Sequence, residues 1–206
     1  MAEVKLIDLS IPLNEKTPAY PGDPKIEIEH IAIHEKNGWN EKRIHCNTHC
    51  GTHVDAPSHM IQKGKTLDEI PLEAFQGKGI LIDVRKKEIT MKCLKEHKIM
   101  PDHVVLFFTG QSDQLYTNYY EHAKFIPPDV AHELVQLKVK AVGIDSFSPD
   151  QEPYPIHKIL LLKNIIIIEN LTNLKALLGK KFQVHYFPLK ITNGDGAPCR
   201  ALALVE

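Results

Sequence analysis

The sequence predicts an α/β fold with a mixed sheet, a single domain over residues 1–206, with α+β as the neighbouring class. Three observations carry that expectation. From Gly79 onward strand-like and helix-like segments alternate, and that order calls for crossover connections between parallel strands. Ahead of Gly79 the alternation is absent, and the N-terminal segments read as antiparallel. The VVLFF run at 104–108 and the isoleucines at 165–168 are apolar at successive positions, as strands covered on both faces require.

Strands are expected at 4–10, 25–33, 41–48, 79–84, 103–109, 139–145, 164–169, 182–191 and 200–205, from β-branched content and alternation. Within 25–33, Ile26 and Ile28 and then Ile31 and Ile33 alternate with polar residues. The shift of phase near His30 signals a bulge in a half-exposed strand. Helices are fewer. Thr90 is a candidate N-cap for 91–98. Pro128 and Pro155 stand at the starts of 129–137 and 156–162, where a missing N–H costs nothing. A fourth helix, 172–178, is expected to stop at Gly179. Residues 111–126 have weak periodicity and hold three tyrosines, and a connection that long is a candidate binding loop.

Lys and Arg number 25 against 26 Asp and Glu, a formal charge of -1, which removes the electrostatic case for nucleic acid or an anionic membrane. No apolar run approaches the roughly 18 residues of a transmembrane helix. Asp8 interrupts the short apolar stretch at the start, so no signal peptide is expected. The expected setting is the cytoplasm, with Cys46, Cys50, Cys93 and Cys199 as reduced thiols. The expected partner is a small-molecule substrate.

Four of the 12 histidines, His45, His49, His53 and His59, fall within 45–59. That stretch is rich in Thr, Val and Gly and ends near Pro57, so it is not helical. On an extended chain 49, 53 and 55 share a face. Gly51 would let the backbone bend, and Pro57 would turn it so that His59 folds back. Two imidazoles and a carboxylate suit a divalent transition metal. Asp55 has two oxygens and could serve a second ion if another ligand set exists. His157 and Glu169 offer one: an acid that ends a fully apolar strand either reaches solvent or meets a cation. A structural Cys/His zinc site at Cys46 and Cys50 is the weaker reading, because no second C-x-x-C pair is present. His45 is taken as peripheral. Gly194-Asp-Gly-Ala-Pro reads as a turn, since it leads into a strand, and the lack of a G-x-S-x-G elbow leaves Ser146 and Ser148 without serine-hydrolase support.

HCGTHVDAPSH at 49–59 resembles the signature of the metal-dependent cyclase-like hydrolases, which include bacterial kynurenine formamidases and isatin hydrolases. PGD at 21–23, TG at 109–110, GID at 143–145, HKILL at 157–161, ENL at 169–171 and DGAPCRA at 195–201 extend the likeness in order and spacing. The resemblance implies a swivelling β/β/α fold, a homodimer or homotetramer, and two divalent metal ions. Histidine and carboxylate ligands suit zinc, manganese and iron alike, with zinc expected first and manganese as the alternative. The resemblance also implies that His49, His53 and Asp55 hold the first ion, and that Asp55, His157 and Glu169 hold the second, with Asp55 and Glu169 bridging. His59 would then donate and accept the proton. The formamidases carry a substrate-contacting Trp just before PGD, where this chain has Tyr20, an aromatic face with a hydroxyl.

The expected activity is amide hydrolysis, with N-formyl-L-kynurenine, giving L-kynurenine and formate in tryptophan catabolism, as the best single substrate. A metal lowers the pKa of water from about 15.7 to about 7. A general base supplies only about 10²–10⁴-fold. Activation of the attacking water is therefore assigned to the ions, and proton shuttling to His59. The alternatives are hydrolysis or cyclisation of another cyclic amide, imide or lactone such as isatin, and a non-catalytic metal- or small-molecule-binding protein.

Overall fold

The computed structural model describes residues 5–205, so Val4 of the first expected strand lies outside the described residues. The strands are β1 (Lys5–Asp8), β2 (Glu27–Ala32), β3 (Glu41–His45), β4 (His53–Asp55), β5 (Gln76–Asp83), β6 (Val104–Phe108), β7 (Ala141–Ile144), β8 (Ile166–Glu169), β9 (Phe182–His185), β10 (Gly196–Pro198) and β11 (Leu202–Val205). The helices are α1 (His34–Asn37), α2 (Met91–Lys95), α3 (Pro128–Gln136) and α4 (Pro155–Leu161).

Nine strands form one mixed sheet in the order β1-β11-β9-β5-β6-β7-β8-β4-β10. Its centre, β5 through β8, is parallel. Both flanks are antiparallel, β9 onto the start of β5 on one side and β4 onto β8 on the other. The inner parallel strands β6, β7 and β8 are buried on both faces, as the apolar runs require, and β5 is half-buried. Val105 and Phe107 of β6 and Ile167 of β8 pack with Leu94 of α2, Leu134 of α3 and Leu160 of α4. The alternate residues Leu106, Ile166 and Ile168 pack with Ile7, Val184 and Ala203 from the far end of the sheet. The helices therefore cover one face, and the sheet curls to cover its own other face.

Pro128 and Pro155 occupy the first positions of α3 and α4, as expected, since a helix's first N–H has no partner to lose. Three expectations fail. The segment 172–178 forms only a single 3₁₀ turn, Leu174–Leu177, because Asn173 ahead of it takes φ 57. The strand expected at 182–191 stops at His185. Thr90 precedes α2, but its side chain makes no cap hydrogen bond. The bulge expected near His30 is present as a register shift between His30 and Ala32 in the separate β2–β3 hairpin. No helix among the described residues is long and apolar enough to cross a membrane.

Candidate metal centre

The site is built where β4 meets β8. In the antiparallel register His53 stands opposite Glu169 and Asp55 opposite Ile167. The period of a strand then puts His53, Asp55 and Glu169 on one face, the face that α4 covers. The same alternation sends Val54 and Ile168 into the opposite core layer. His49 is not on the strand. It sits in the turn before Gly51, whose φ of +59 reverses the chain. Thr52 pins that turn: its backbone-facing hydroxyl donates to Asn170 O at 2.6 Å and accepts from Ile11 N–H at 2.9 Å. Pro57 starts a 3₁₀ turn, Pro57–His59, that folds His59 back over the cluster.

His157 arrives from α4, about a hundred residues further along the chain, and reaches the same point. Its Nε2 lies 3.5 Å from Asp55 Oδ2 and 3.2 Å from Glu169 Oε1. His53 Nε2 lies 3.4 Å from Asp55 Oδ1 and 3.3 Å from Glu169 Oε2. His49 Nδ1 lies 2.7 Å from Asp55 Oδ1. The five residues expected as ligands therefore converge. Tyr20 and His59 line the same cavity of about 740 Å³. The histidine at 45 stands apart, at the exposed end of β3, 3.5 Å from Glu29. Neither Cys46 nor Cys50 joins a cluster of ligand-type side chains among the described residues.

Each clustered imidazole has its other nitrogen fixed. His53 Nδ1 faces Gly51 O at 2.9 Å, His157 Nδ1 faces Asp150 Oδ1 at 2.6 Å, and His49 Nε2 faces Asp195 Oδ2 at 3.0 Å. Asp150 also accepts the N–H groups of Ile156 and His157 at 2.6 and 3.2 Å, so it fixes the start of α4 and the ring together. A fixed tautomer and ring orientation is what a metal-ligating histidine needs. Asp150 and Asp195 escaped the sequence reading. Asp195 lies in the stretch read as a turn, which in fact pairs as β10 against β4, with Gly196 opposite Asp55. For Asp150 there was no signal beyond a lone acid in a loop.

The donor atoms fit a cation. His53 Nε2, Asp55 Oδ2 and Glu169 Oε1 are buried with no hydrogen-bond partner. His53, Asp55, His157 and Glu169 are 2%, 1%, 4% and 6% exposed, so water does not satisfy them. Charge contacts of 3.2–3.5 Å surround these atoms but none has hydrogen-bond geometry, so part of the cost of a buried unsatisfied polar atom, about 1–3 kcal/mol, is left uncompensated. One donor atom each from His53, Asp55 and Glu169, and likewise from His49, Asp55 and His59, come within 4.8 Å of one another. The electrostatics of the cluster point the same way. Burial pushes His53 down, but the Asp55 and Glu169 carboxylates outweigh it and raise the ring to about 10. Burial is likewise outweighed at His157, where Asp150, Asp55 and Glu169 raise the ring to about 12. Burial opposes the charge on Asp55, yet the surrounding imidazoles hold it well below the usual carboxylate range. The cluster draws positive charge into a buried space.

His59 behaves differently. Burial pushes it below its ordinary value, aided by the nearby His49 and His157 rings. It stacks on His49 with ring centroids 3.9 Å apart, and its Nδ1 lies 3.7 Å from Asp195 Oδ2. A largely neutral imidazole with Nε2 uncommitted can accept a proton. Beyond it the cavity wall is aromatic: Phe147 lies 6.0 Å from Tyr20 and 4.9 Å from Tyr120 between ring centroids.

Residues 7–151 match the family described as "Putative cyclase". The chain belongs to the cyclase family. The kynurenine formamidase of Salinibacter ruber is 30% identical to it over 212 residues, covering 96% of each chain. Among solved structures, isatin hydrolase A from Labrenzia aggregata superposes with a TM-score of 0.88 at 28% identity, covering 98% of this chain and 94% of that one. A potential metal-dependent hydrolase with cyclase activity gives 0.84 at 31% identity, covering 99% of each. This cyclase-family chain thus shares its whole fold with hydrolases described as metal-dependent, and its His, Asp and Glu cluster can hold metal.

Proposed function

We propose that this chain is a metal-dependent amidohydrolase, an arylformamidase that cleaves N-formyl-L-kynurenine to L-kynurenine and formate. The carrying observation is the convergence of three unpartnered buried donor atoms with two imidazoles whose outer nitrogens are fixed by carboxylates. The likeness to the formamidase of Salinibacter ruber supports the substrate. Isatin, a cyclic aryl amide, is the second reading, supported by the likeness to isatin hydrolase A.

His49, His53 and Asp55 would hold one ion, and Asp55, His157 and Glu169 a second, with Asp55 and Glu169 shared. Charge supports the pair: Asp55, Glu169, Asp150 and Asp195 are four carboxylates around imidazoles that ligation would hold neutral, and two divalent ions would balance four negative charges. Zinc is the first choice and manganese the second, since imidazole and carboxylate suit both. When bound, the ions ionise the attacking water and stabilise charge on the acyl oxygen. His59 does the proton work: Nε2 takes a proton released by the attack and returns it to the departing nitrogen. Asp195 keeps Nδ1 of that ring pointed away from the reacting atoms. Tyr20 and Phe147 offer faces for the substrate's ring. We further propose a homodimer or homotetramer in the cytoplasm. The exposed Ile31, Trp39 and Ile44 on the β2–β3 hairpin and the connection within it support self-association.

Formate release from N-formyl-L-kynurenine tests the reading. Chelation should abolish it, and added Zn²⁺ or Mn²⁺ should restore it. His53→Ala should lose metal and turnover together. His59→Ala should keep the metal and lose about 10²–10⁴-fold in kcat. A His59→Ala variant with normal kcat sinks the shuttle, and metal-loaded protein without turnover on any aryl amide sinks the reading.

A further inference from the structure

Two phenols that line the cavity carry one proton more than the protein uses. Tyr20 and Tyr154 hydroxyl oxygens lie 3.3 Å apart, close enough for one to donate to the other. Each phenol carries one proton, so a pair bonded to each other has one left over. Neither hydroxyl has any other hydrogen-bond partner among the described residues. The neighbouring tyrosines differ: Tyr119 donates to Asn170 Oδ1, and Tyr120 donates to Ala19 O. Either hydroxyl can be the donor within the pair. When Tyr20 donates, the unspent proton is on Tyr154, the member of the pair whose ring meets His157.

Tyr154 is held where that proton matters. It takes φ 58 and ψ 53 immediately ahead of α4, a left-handed conformation that a bulky residue adopts only when its surroundings impose it. Its ring meets the His157 ring edge-on with centroids 6.0 Å apart. The Tyr154 ring therefore flanks the proposed metal centre, and its hydroxyl opens into the same cavity as the Tyr20 hydroxyl. Among the described residues no Lys or Arg lines the cavity, so no side-chain cation is there to pair with an anionic group, and a neutral carbonyl is an acceptor that a phenol O–H suits.

We propose that Tyr154, oriented by Tyr20, is a specificity-determining residue that donates to a neutral carbonyl oxygen ortho to the hydrolysed nitrogen on the substrate's aryl ring. This rests on the arylamide-hydrolase reading above. Both substrates considered there carry such a group, the aryl ketone of N-formylkynurenine and the ring ketone of isatin. In an ortho-acyl anilide the N–H already bonds one lone pair of that carbonyl, and its second lone pair remains for Tyr154.

The test compares 2-acetylformanilide with 4-acetylformanilide on the metal-loaded enzyme. The two have similar ring electronics, but only the first presents its carbonyl beside the reacting nitrogen. Tyr154→Phe should lower kcat/KM for the ortho compound about tenfold more than for the para compound, the scale of one hydrogen bond. Tyr20→Phe should shift the same ratio in the same direction by less, because it removes only the orienting partner, and it carries the test if Tyr154→Phe does not fold. Equal losses on both isomers in the two variants, or an unchanged ratio, overturn the proposal and leave the hydrolase reading standing. A wild-type enzyme that hydrolyses neither isomer overturns both.

Discussion

Gly196→Ala puts the construction of the centre to a direct test. Gly196 lies on β10 opposite Asp55, and the His49 ring packs onto its backbone. A Cβ at this position would stand 2.5 Å from His49 Cε1, 2.9 Å from His49 Nε2 and 2.8 Å from Val54 O. Ordinary contact begins near 3.4 Å, so relief requires a displacement of about 1 Å. Val54 O is backbone in the middle of β4, which pairs on both sides, so the imidazole is the part that yields. Moving that ring stretches its 3.0 Å contact with Asp195 and its 2.7 Å contact with Asp55. Ligand distances tolerate about 0.2 Å, so affinity at His49 should fall about 10–100-fold, the scale seen when a ligand's outer support is lost. Overpacking itself costs about 1–3 kcal/mol. At about 2–4 °C per kcal/mol for a chain of this size, Tm should fall by roughly 2–12 °C. Competition against a chromophoric chelator at a temperature far below Tm separates the two effects. Zinc affinity within about twofold of wild type in the folded variant would refute the role given to His49.

Two further outcomes follow from the same geometry. Asp150→Asn leaves the shape and removes the negative charge facing His157 Nδ1, 2.6 Å away, so one ion should weaken about 10–100-fold while the fold survives, as a two-step metal titration would register. In metal-free protein His53 is raised from an ordinary 6.5 to about 10, so the stability it contributes is complete below about pH 6.5 and is lost as pH climbs through 10. Asp55 is depressed from 3.8, so its contribution is present above that value and is lost only in acid. The metal-free Tm should therefore decline from pH 7 to pH 10, and calorimetry that finds it flat across that window contradicts the cluster's protonation.

The fold was legible where one segment states its own environment. The VVLFF run could only be a strand with two covered faces, and it is, with Leu106 in one layer and Phe107 in the other. The 49–59 stretch was legible because ligand-type residues crowd it beyond what solvation needs. His157 and Glu169 were legible mainly through a resemblance spread along the chain, since a lone histidine or terminal acid says little by itself. What could not be read is what only pairing creates. β4 and β10 have three residues each, too few to show a period, and exist because β8 offers β4 an edge and β4 offers β10 another. Asp195 enters the site through that second pairing, so no local pattern announced it. The helix expected over 172–178 failed for the converse reason: its stop signal, Gly179 at φ 70, is in place, but Asn173 in the left-handed region spends the first turn reversing the chain.

The position of the centre follows from the direction of the strands. In a parallel sheet all the C-terminal ends open on one side, and ligands collect there. Glu169 ends β8 on that side. An antiparallel neighbour necessarily begins where β8 ends, so the first residue of β4, His53, arrives opposite Glu169 without any long-range search. The crossover from β7 to β8 must start from the same side, and the start of α4 therefore delivers His157 and its Asp150 partner there too. Three segments remote in sequence that carry the candidate ligands are thus obliged to meet by a single change of strand direction. This explains how so many buried charges can be held within a few ångströms: the backbone fixes their approach, and the cluster has only to supply the charge that the carboxylates lack.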